Sequence, residues 1–431
     1  MEEVIFYNPW WKDKFKEDTP FRRQAFGNIL EYIQKTDRIV VIKGPRRVGK
    51  TTIIYQIISH LLEKGTDPKT ILYLSFDDPK IRKDFDKIID FYKTEILKSG
   101  LETSKVYIFL DEVQFLDNWQ YYLKKYYDRK FPIKFIVSGS SATLIRKGSE
   151  SLMGRTVEEL MLPFSFAEFF EYRTGEKPIG SKLDILDVKK YEDRAKILFS
   201  EYLERGGFPN LFGVDQKLIQ KLLREDIIEK ALYRDIVGLY EIKKPEVLEK
   251  LFVYLVNSTA QTANISNVAG YLGLSRQYVS KYITYLENAY FFISFGKYSR
   301  SAGKTLRAAE KIYCIDPAII NTFLSGEFEH ESGHIIESIV ARHLFGEDAY
   351  YWKNSHEVDF VLKKDGCLLP IEVKYKNAYS NKDFSGIMEF CKKYKAKEGI
   401  LITKDVFEKK TVNMVKLILI PVWAFTLFTE E

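Results

Sequence analysis

The fold of this chain is decided by the stretch Val41-Ile42-Lys43-Gly44-Pro45-Arg46-Arg47-Val48-Gly49-Lys50-Thr51-Thr52. Residues 38–42, which lead into the glycine-rich turn and are mostly β-branched, predict a short buried strand. The apolar run at 52–62 predicts a helix. A strand, a glycine-rich turn and a Lys-Thr pair that opens a helix form the context that a phosphate-binding loop needs. A simple glycine turn would explain neither Lys50 nor Thr51.

Each part of this phosphate-binding loop (P-loop) has a predicted role. Gly44 and Gly49 let the backbone turn tightly and bring its N–H groups toward the phosphates. The helix N-terminus adds unpaired donors and the positive end of its dipole. Lys50 is predicted to reach the β- and γ-phosphates, and the Thr51 hydroxyl to hold Mg²⁺. We therefore predict ATP and Mg²⁺ as cofactors, with nucleotide contacts from Gly44, Pro45, Arg46, Arg47, Val48, Gly49, Lys50, Thr51 and Thr52.

A second motif, the apolar run that ends in Asp111-Glu112, follows further along the chain. A strand of this kind delivers its last residues to the carboxyl edge of a parallel sheet, where ligands of open α/β sheets bind. Asp111 is predicted to contact Mg²⁺, directly or through water, and Glu112 to orient and activate the attacking water. Alone, the run would more simply be a strand that ends in solvent. Joined to the P-loop, it indicates an ATP hydrolase.

Two further residues are candidates for the same site. Ser138, or else Ser140, follows the predicted strand 133–137, where a small polar side chain can touch the γ-phosphate or the water, and turn chemistry is the competing explanation. Arg155 precedes the predicted strand 157–162 and is a candidate arginine finger, in cis or from a neighbouring subunit. The role in trans would require a homo-oligomer. An ion-paired surface arginine is the alternative.

Five predicted strands alternate with helices between residues 39 and 162, which predicts an α/β fold with a doubly wound parallel sheet. Four segments then resemble the AAA-type archaeal and bacterial P-loop ATPases: the P-loop, Leu110-Asp111-Glu112-Val113-Gln114, the Ser-Gly-Ser-Ser strand end at 138–141, and Gly154-Arg155 followed by Leu162-Pro163-Phe164-Ser165-Phe166. The resemblance implies an AAA+ (ASCE) domain, here assigned to residues 1–170. Members of that family commonly carry a C-terminal domain of restriction-endonuclease type.

Residues 171–243 are assigned to a helical lid and linker: a polar linker or exposed loop is predicted up to about 190, and the helices after it stand where an AAA+ lid would be. Arg234 in these helices either senses nucleotide or forms a surface ion pair. Residues 244–315 resemble a winged helix-turn-helix, with its turn at 273–275. Its third helix would expose Arg276, Gln277, Ser280 and Lys281 to the major groove of double-stranded DNA. Because that helix is not strongly basic, packing between domains or binding to a protein is an equal alternative.

The last part of the chain, residues 316–431, contains an acid on one predicted strand and Glu-x-Lys on the next. These residues are Asp359, Glu372 and Lys374, and a predicted hairpin turn at 364–366 joins the two strands. Strand alternation puts Glu372 and Lys374 on one face. The pattern resembles the PD-(D/E)xK nuclease core, with Val358 where that motif has proline and Glu337 as an additional acid on a helix.

This second resemblance implies a metal site. Glu337, Asp359 and Glu372 would hold Mg²⁺, and Lys374 would position or help to deprotonate the water at the metal. A hairpin with surface charges, or a metal site without cleavage, are the alternatives. The nearby His330-Glu331-Ser332-Gly333-His334 satisfies the HExxH zinc pattern, but Gly333 and an upstream loop are expected to interrupt the helix that a zinc protease needs.

Bulk properties narrow the class of protein. At 431 residues, with 45% hydrophobic and 29% charged residues, the chain is expected to form several globular domains. A net charge of +6 permits contact with nucleic acid but does not argue for it. Three distant cysteines, an acidic start and the lack of a long apolar segment predict a cytoplasmic protein without a membrane partner. The most apolar tract, 417–428, is predicted to form one or two buried strands.

The sequence therefore predicts an ATP-hydrolysing P-loop protein coupled to a DNA-binding, nuclease-like C-terminal region. The alternative is an ATP-dependent switch whose C-terminal domain is catalytically inert and binds a protein partner. A nuclease that uses the ATPase part only for dimerisation is the least favoured hypothesis, because it leaves Glu112 without a role.

Overall fold

The structure, a computed structural model, describes residues 2–17, 19–140, 152–178, 185–301, 308–324 and 328–427. The chain divides into two compact units. The first comprises Met1–Leu162 and Arg234–Tyr240, and the second comprises Pro163–Tyr233 and Glu241–Glu431. In the part of the chain that the structure describes, none of the helices has the length and apolar character needed to cross a membrane.

The first unit is built on the predicted five-stranded parallel sheet. Its strands are β1 (Ile39–Gly44), β2 (Ile71–Ser75), β3 (Val106–Asp111), β4 (Ile133–Ser140) and β5 (Thr156–Leu160). Across the sheet their order is β2-β3-β4-β1-β5, and every neighbouring pair is parallel. The ends of β1, β4 and β3 therefore lie side by side at the carboxyl edge, the edge at which such sheets bind ligands.

The first unit also contains α-helices, several of which connect these strands. The α-helices of the first unit are Glu2–Tyr7, Gln24–Lys35, Lys50–Glu63, Pro79–Lys83, Phe85–Phe91, Trp119–Asp128 and Gly238–Tyr240. The sequence predicts a single helix over 80–97, but the structure breaks it at Asp84, whose φ and ψ of −111° and 22° are not helical. The remainder ends in the π-helical turn Tyr92–Leu97.

The edge strand β2 is covered by side chains of the N-terminal segment. The Asn8 side chain donates to the carbonyl of Tyr73 at 2.8 Å and accepts from its N–H at 2.7 Å. The indole N–H groups of Trp10 and Trp11 donate to the carbonyl of Ile71 at 3.1 and 2.9 Å. These bonds satisfy backbone groups that a neighbouring strand would otherwise have to pair.

The second unit begins with helices and a small sheet. A π-helical run, Leu223–Val237, contributes residues to both units. The α-helices of the second unit up to the small sheet are Phe166–Thr174, Ile185–Arg205, Gln216–Leu222, Pro245–Asn257, Ile265–Leu272 and Arg276–Asn288. The small antiparallel sheet contains β6 (Gln261–Thr262), β7 (Phe292–Phe295) and β8 (Lys311–Cys314), in the order β6-β8-β7. The helices Ile265–Leu272 and Arg276–Asn288 flank the turn that the sequence predicts at 273–275.

The rest of the second unit contains a six-stranded mixed sheet. Its strands are β9 (Ala349–Lys353), β10 (Glu357–Lys364), β11 (Cys367–Val373), β12 (Glu398–Thr403), β13 (Glu408–Val412) and β14 (Val415–Pro421), in the order β13-β14-β12-β11-β10-β9. The predicted turn between β10 and β11 is present, with Asp365 and Gly366 at φ of 51° and 77°. Two consecutive left-handed residues form the kind of tight turn that joins hairpin strands.

The remaining helices, Pro317–Phe323, Phe328–His343, Ser385–Tyr394 and Val422–Leu427, correct two sequence expectations. Within the apolar tract predicted to form strands, residues 417–421 end β14 and Val422–Leu427 is a helix, because a short apolar run does not distinguish the two structures. Helix Phe328–His343 also runs through Gly333 without the expected break. A glycine inside a helix costs only about 1 kcal/mol relative to alanine, which neighbouring residues can offset.

Candidate nucleotide site and buried acidic cluster

The P-loop joins β1 to the helix Lys50–Glu63 and depends on its two glycines. A β-carbon at Gly44 would lie only 1.9 Å from the carbonyl oxygen of Met161, so a larger residue does not fit there. Gly49 caps the helix with a φ of 95°, in the region that favours glycine. The sequence motif is therefore required by the local backbone geometry as well as by any ligand.

Lys50 places its ammonium inside the curve of the loop. The side chain is buried, and its Nζ donates to the carbonyls of Gly44 at 3.0 Å and Pro45 at 2.8 Å. Burial lowers the pKa of Lys50, because water no longer solvates the charge. An entering phosphate would meet a cation that the loop carbonyls already orient.

Asp111, at the end of β3, collects three hydroxyl groups. Its carboxylate accepts from the hydroxyls of Thr51 at 2.7 Å and Tyr73 at 3.0 Å, and also from the hydroxyl of Ser138. Burial, with a contribution from the neighbouring Glu112, raises the pKa of Asp111. The structure thus brings together the P-loop, Asp111 and Ser138. Tyr73 was missed because it lies inside an apolar strand sequence.

The Thr51 hydroxyl and the Asp111 carboxylate fit a Mg²⁺ ion. Both are hard oxygen ligands, and they lie 2.7 Å apart. Mg²⁺ is usually bound through one or two carboxylates together with substrate phosphates and waters. A single carboxylate beside a phosphate-binding loop therefore has the donor chemistry that a Mg–nucleotide complex needs.

Glu112 adopts a strained backbone conformation directly after Asp111. Its φ of 53° lies in the left-handed region, which costs a non-glycine residue about 1–3 kcal/mol. The Glu112 N–H donates to Asp111 Oδ1 at 3.1 Å and to Ser138 Oγ at 3.4 Å, and its carboxylate accepts from the Gln114 amide. The neighbouring contacts therefore hold this turn in place and orient the carboxylate.

Arg46 makes a contact that the sequence does not predict. Its guanidinium forms a bidentate pair with Asp235, with Nε–Oδ2 and NH2–Oδ1 distances of 2.7 and 2.6 Å. Only 14% of the Arg46 side chain and 4% of the Asp235 side chain are exposed. Burial raises the pKa of Asp235, although the guanidinium opposes this shift. The predicted nucleotide ligand Arg46 is thus held by a carboxylate from a distant segment.

Arg234, next to that carboxylate, pairs with Asp77 at 2.7 Å and lies over the ring of Phe115, 4.6 Å from its centroid. This is the ion pair that the sequence offers as the alternative to nucleotide sensing. The contact fixes the segment Arg234–Tyr240 on the loop that follows β2.

Arg155 lies away from the P-loop. Its carbonyl accepts from the N–H of Ile39, so it stands beside the first residue of β1. The P-loop follows the last residue of β1, about 17 Å away at about 3.3 Å per residue. Arg155 instead pairs with Asp128 at 2.7 Å. The predicted arginine finger in cis is therefore wrong by position, and the role in trans stays a prediction.

We expect the two arginine–aspartate pairs, Arg46–Asp235 and Arg155–Asp128, to differ in their contribution to the free energy of unfolding. In a double-mutant cycle with Arg46→Ala and Asp235→Ala, we expect a coupling of about 1–3 kcal/mol in the free energy of unfolding, because the pair is bidentate and largely buried. The exposed pair Arg155–Asp128 is the matched control and should couple much more weakly. Equal couplings in urea unfolding would contradict a special role for Arg46 and Asp235.

A buried lysine lies among acids in the second unit. Lys311, on β8, has a side chain that is 4% exposed. Its Nζ contacts Glu337 Oε2 at 3.0 Å, Glu357 Oε1 at 2.9 Å and Asp359 Oδ1 at 3.1 Å. Glu337 comes from the helix Phe328–His343, and the other two acids come from alternate positions of β10. We call these three acids and Glu372 the acidic cluster.

Glu372 has a different cation. Lys374 Nζ donates to Glu372 Oε1 at 2.6 Å, while Glu372 Oε2 is buried with no hydrogen-bond partner among the described residues. The other oxygen of Asp359 accepts from the N–H of Val373 at 2.9 Å. Burial, together with the charge of Asp359, raises the pKa of Glu337 and of Glu372 to about 8.

The side chains of the acidic cluster are not arranged to hold the predicted Mg²⁺ ion. The structure does bring Glu337, Asp359 and Glu372 into one region, but each carboxylate already contacts a lysine ammonium. Within the described ranges, no group of three or more His, Cys, Asp or Glu side chains is arranged to hold a metal ion. Sequence reasoning missed Lys311 and Glu357, although strand alternation puts Glu357 and Asp359 on one face.

The helix Arg276–Asn288 presents the predicted face. The side chains of Arg276, Gln277, Ser280 and Lys281 are all exposed, whereas Val279 on the opposite side is buried. Tyr271 and Tyr278 are exposed beside them, at 78% and 56%. This surface is available to a partner, and its two tyrosines suit protein as well as nucleic acid.

Comparison with known proteins gives relatives along most of the chain. An uncharacterized protein of Haemophilus influenzae is 26% identical over 415 residues, which are 93% of this chain and 98% of that protein. Uncharacterized protein MJ1544 of Methanocaldococcus jannaschii is 29% identical over 362 residues, 80% of this chain and 77% of that protein. Relatives thus occur in a bacterium and in an archaeon.

Solved structures with partial similarity include AMPPCP-bound DnaA from Aquifex aeolicus. It is 15% identical, covers 62% of this chain and 87% of that chain, and has a TM-score of 0.32. A RuvB mutant of Thermotoga maritima is 17% identical, covers 62% and 85%, and has a TM-score of 0.28.

Three family models match consecutive parts of the chain. Residues 36–170 match an AAA domain, and residues 196–329 and 332–424 each match a domain of unknown function (DUF8612 and DUF4143). The first match covers the sheet, the P-loop and Asp111. Residues 36–170, which carry the P-loop and Asp111, are therefore similar to an AAA domain.

Proposed function

We propose that this protein binds Mg–ATP in the first unit and hydrolyses it. The contact between the Thr51 hydroxyl and the Asp111 carboxylate, beside the buried ammonium of Lys50, carries the proposal. When bound, Mg²⁺ would neutralise charge on the phosphates. Lys50 and the P-loop N–H groups hold the phosphates, and Thr51 and Asp111 hold the ion.

In this proposal Glu112 orients the attacking water and accepts its proton. Ser138, between Asp111 and the Glu112 N–H, positions both acids. The site contributes mostly by positioning and by electrostatic stabilisation, because phosphoryl transfer requires little covalent chemistry from the protein.

For the C-terminal half, we favour the switch over the nuclease. The proposed parts are a helical lid (171–243), a winged helix-turn-helix (244–315) and a C-terminal module (316–431). The ammonium of Lys311 inside the acidic cluster supports a module that binds rather than cleaves. ATP turnover would then change the affinity for a partner, which is a protein or double-stranded DNA held by the helix Arg276–Asn288.

ATP binding tests the proposal directly. Lys50→Ala should lose measurable binding of a fluorescent ATP analogue and all turnover, because the phosphates lose their buried cation. Lys64→Ala is the matched control, since this exposed lysine ends the same helix. Equal ATP affinity in wild type and Lys50→Ala would contradict the site. Stimulation of turnover by double-stranded DNA would identify DNA as the partner, and indifference to DNA would contradict the DNA alternative.

A further inference from the structure

The ammonium of Lys311 makes all of its possible hydrogen bonds to the acidic cluster. An ammonium group has three N–H donors, and Lys311 has three carboxylate partners, at 2.9 to 3.1 Å. The three donors of the Lys311 ammonium are therefore all used inside the acidic cluster.

The backbone holds this lysine firmly in place. Lys311 is paired with Thr262 of β6 on one side and with Phe295 of β7 on the other. Lys311 is the first residue of β8, the central strand of the small sheet. Every residue of β8 is buried. The two strands therefore fix the position from which the Lys311 side chain extends to the acids.

The acidic cluster contains the acids predicted for a metal site, but the cations beside them are lysine ammonium groups. All three predicted ligands, Glu337, Asp359 and Glu372, contact a lysine ammonium at 3.1 Å or less. A divalent ion bound to Asp359 would lie a few ångströms from Lys311. Repulsion between like charges is strong where water is excluded, so a divalent ion at Asp359 would have to displace the Lys311 ammonium.

We propose that Lys311 is the permanent cation of the acidic cluster. It takes the place that a divalent metal has in a nuclease of the PD-(D/E)xK type, so the C-terminal module has no metal-dependent nuclease activity. The same contacts join β8 of the small sheet to β10 of the six-stranded sheet. This inference does not depend on ATP hydrolysis by the first unit.

Mn²⁺ binding to the full-length, nucleotide-free protein tests the proposal. In calorimetric titrations, wild type and Asp359→Asn should bind Mn²⁺ alike, because the cluster contributes no site. Lys311→Met should gain a site that binds Mn²⁺ about tenfold or more tightly, since the acids lose their cation. That site should vanish in Lys311→Met/Asp359→Asn. Lys353→Met, which removes a 56% exposed lysine beside Glu357, is the matched control and should gain nothing.

A second measurement needs no Lys311 variant and covers the case in which that protein does not fold. Supercoiled plasmid is incubated with wild type or Asp359→Asn in Mg²⁺ or Mn²⁺, and both should leave it intact. The proposal is overturned if wild type cleaves and Asp359→Asn does not, or if Asp359→Asn weakens Mn²⁺ binding to the wild-type cluster. A folded Lys311→Met protein that gains no Mn²⁺ site would also count against it.

Discussion

Glu112→Gln should leave ATP binding intact while steady-state ATP turnover falls by about 10²–10⁴-fold, the usual contribution of a positioned general base. Glutamine keeps the size of the side chain and can still bond to Gln114, but it cannot accept a proton from water. The P-loop and Asp111 are unchanged, so the phosphates and the metal ion should bind as before. The effect should therefore appear in kcat and not in affinity.

The measurement compares phosphate release and ATP-analogue binding for wild type and variant. Glu95→Gln, an exposed acid of the same unit, is the control and should match wild type in both assays. If Glu112→Gln retained turnover within a few-fold of wild type, another residue would have to activate the water. If binding were lost as well, the strained turn at Glu112 would be holding the site together.

The second large effect concerns stability. Lys311→Met should lower the free energy of unfolding by about 3–5 kcal/mol, because it leaves buried carboxylates without their cation. Neutralising one acid in the same protein, as in Lys311→Met/Glu337→Gln, should recover part of that loss. The recovery distinguishes a charge effect from lost packing around the lysine stem.

Urea unfolding followed by circular dichroism measures this effect. Lys353→Met removes a neighbouring lysine that is 56% exposed, and it should change stability by less than about 1 kcal/mol. If Lys311→Met were as stable as Lys353→Met, the three contacts of Lys311 would contribute little and the cluster would need another explanation. The two outcomes differ by more than the usual error of such measurements, which is about 10–15% of the extrapolated value.

Much of the first unit could be predicted because its signals are local. Strands β1, β2 and β3 are short, mostly apolar runs, and the P-loop is one continuous segment. The position of Ser138 follows from the strand it ends. Arg155 shows the limit of this reasoning: its neighbours along the chain do not reveal that it lies at the far end of β5 from the nucleotide site.

The missed contacts are long-range. Asp235 reaches Arg46 across 189 residues, and no motif marks it in a helical stretch with many charges. Lys311 is separated from its acids by 26, 46 and 48 residues, and in the sequence it is only the first residue of a short strand. Propensity and periodicity describe neighbours, so they do not predict which distant charges meet.

The sequence by itself determined that the chain has a P-loop with an acidic partner strand, because a contiguous backbone turn places Gly44, Lys50 and Thr51 in fixed relation to one another. Through its resemblance to the PD-(D/E)xK core, it also offered Glu337, Asp359, Glu372 and Lys374 as a candidate nuclease-like site. Only the tertiary structure decided what they surround. Whether such acids receive a metal or an ammonium depends on which strand packs beside them, and here β8 brings Lys311.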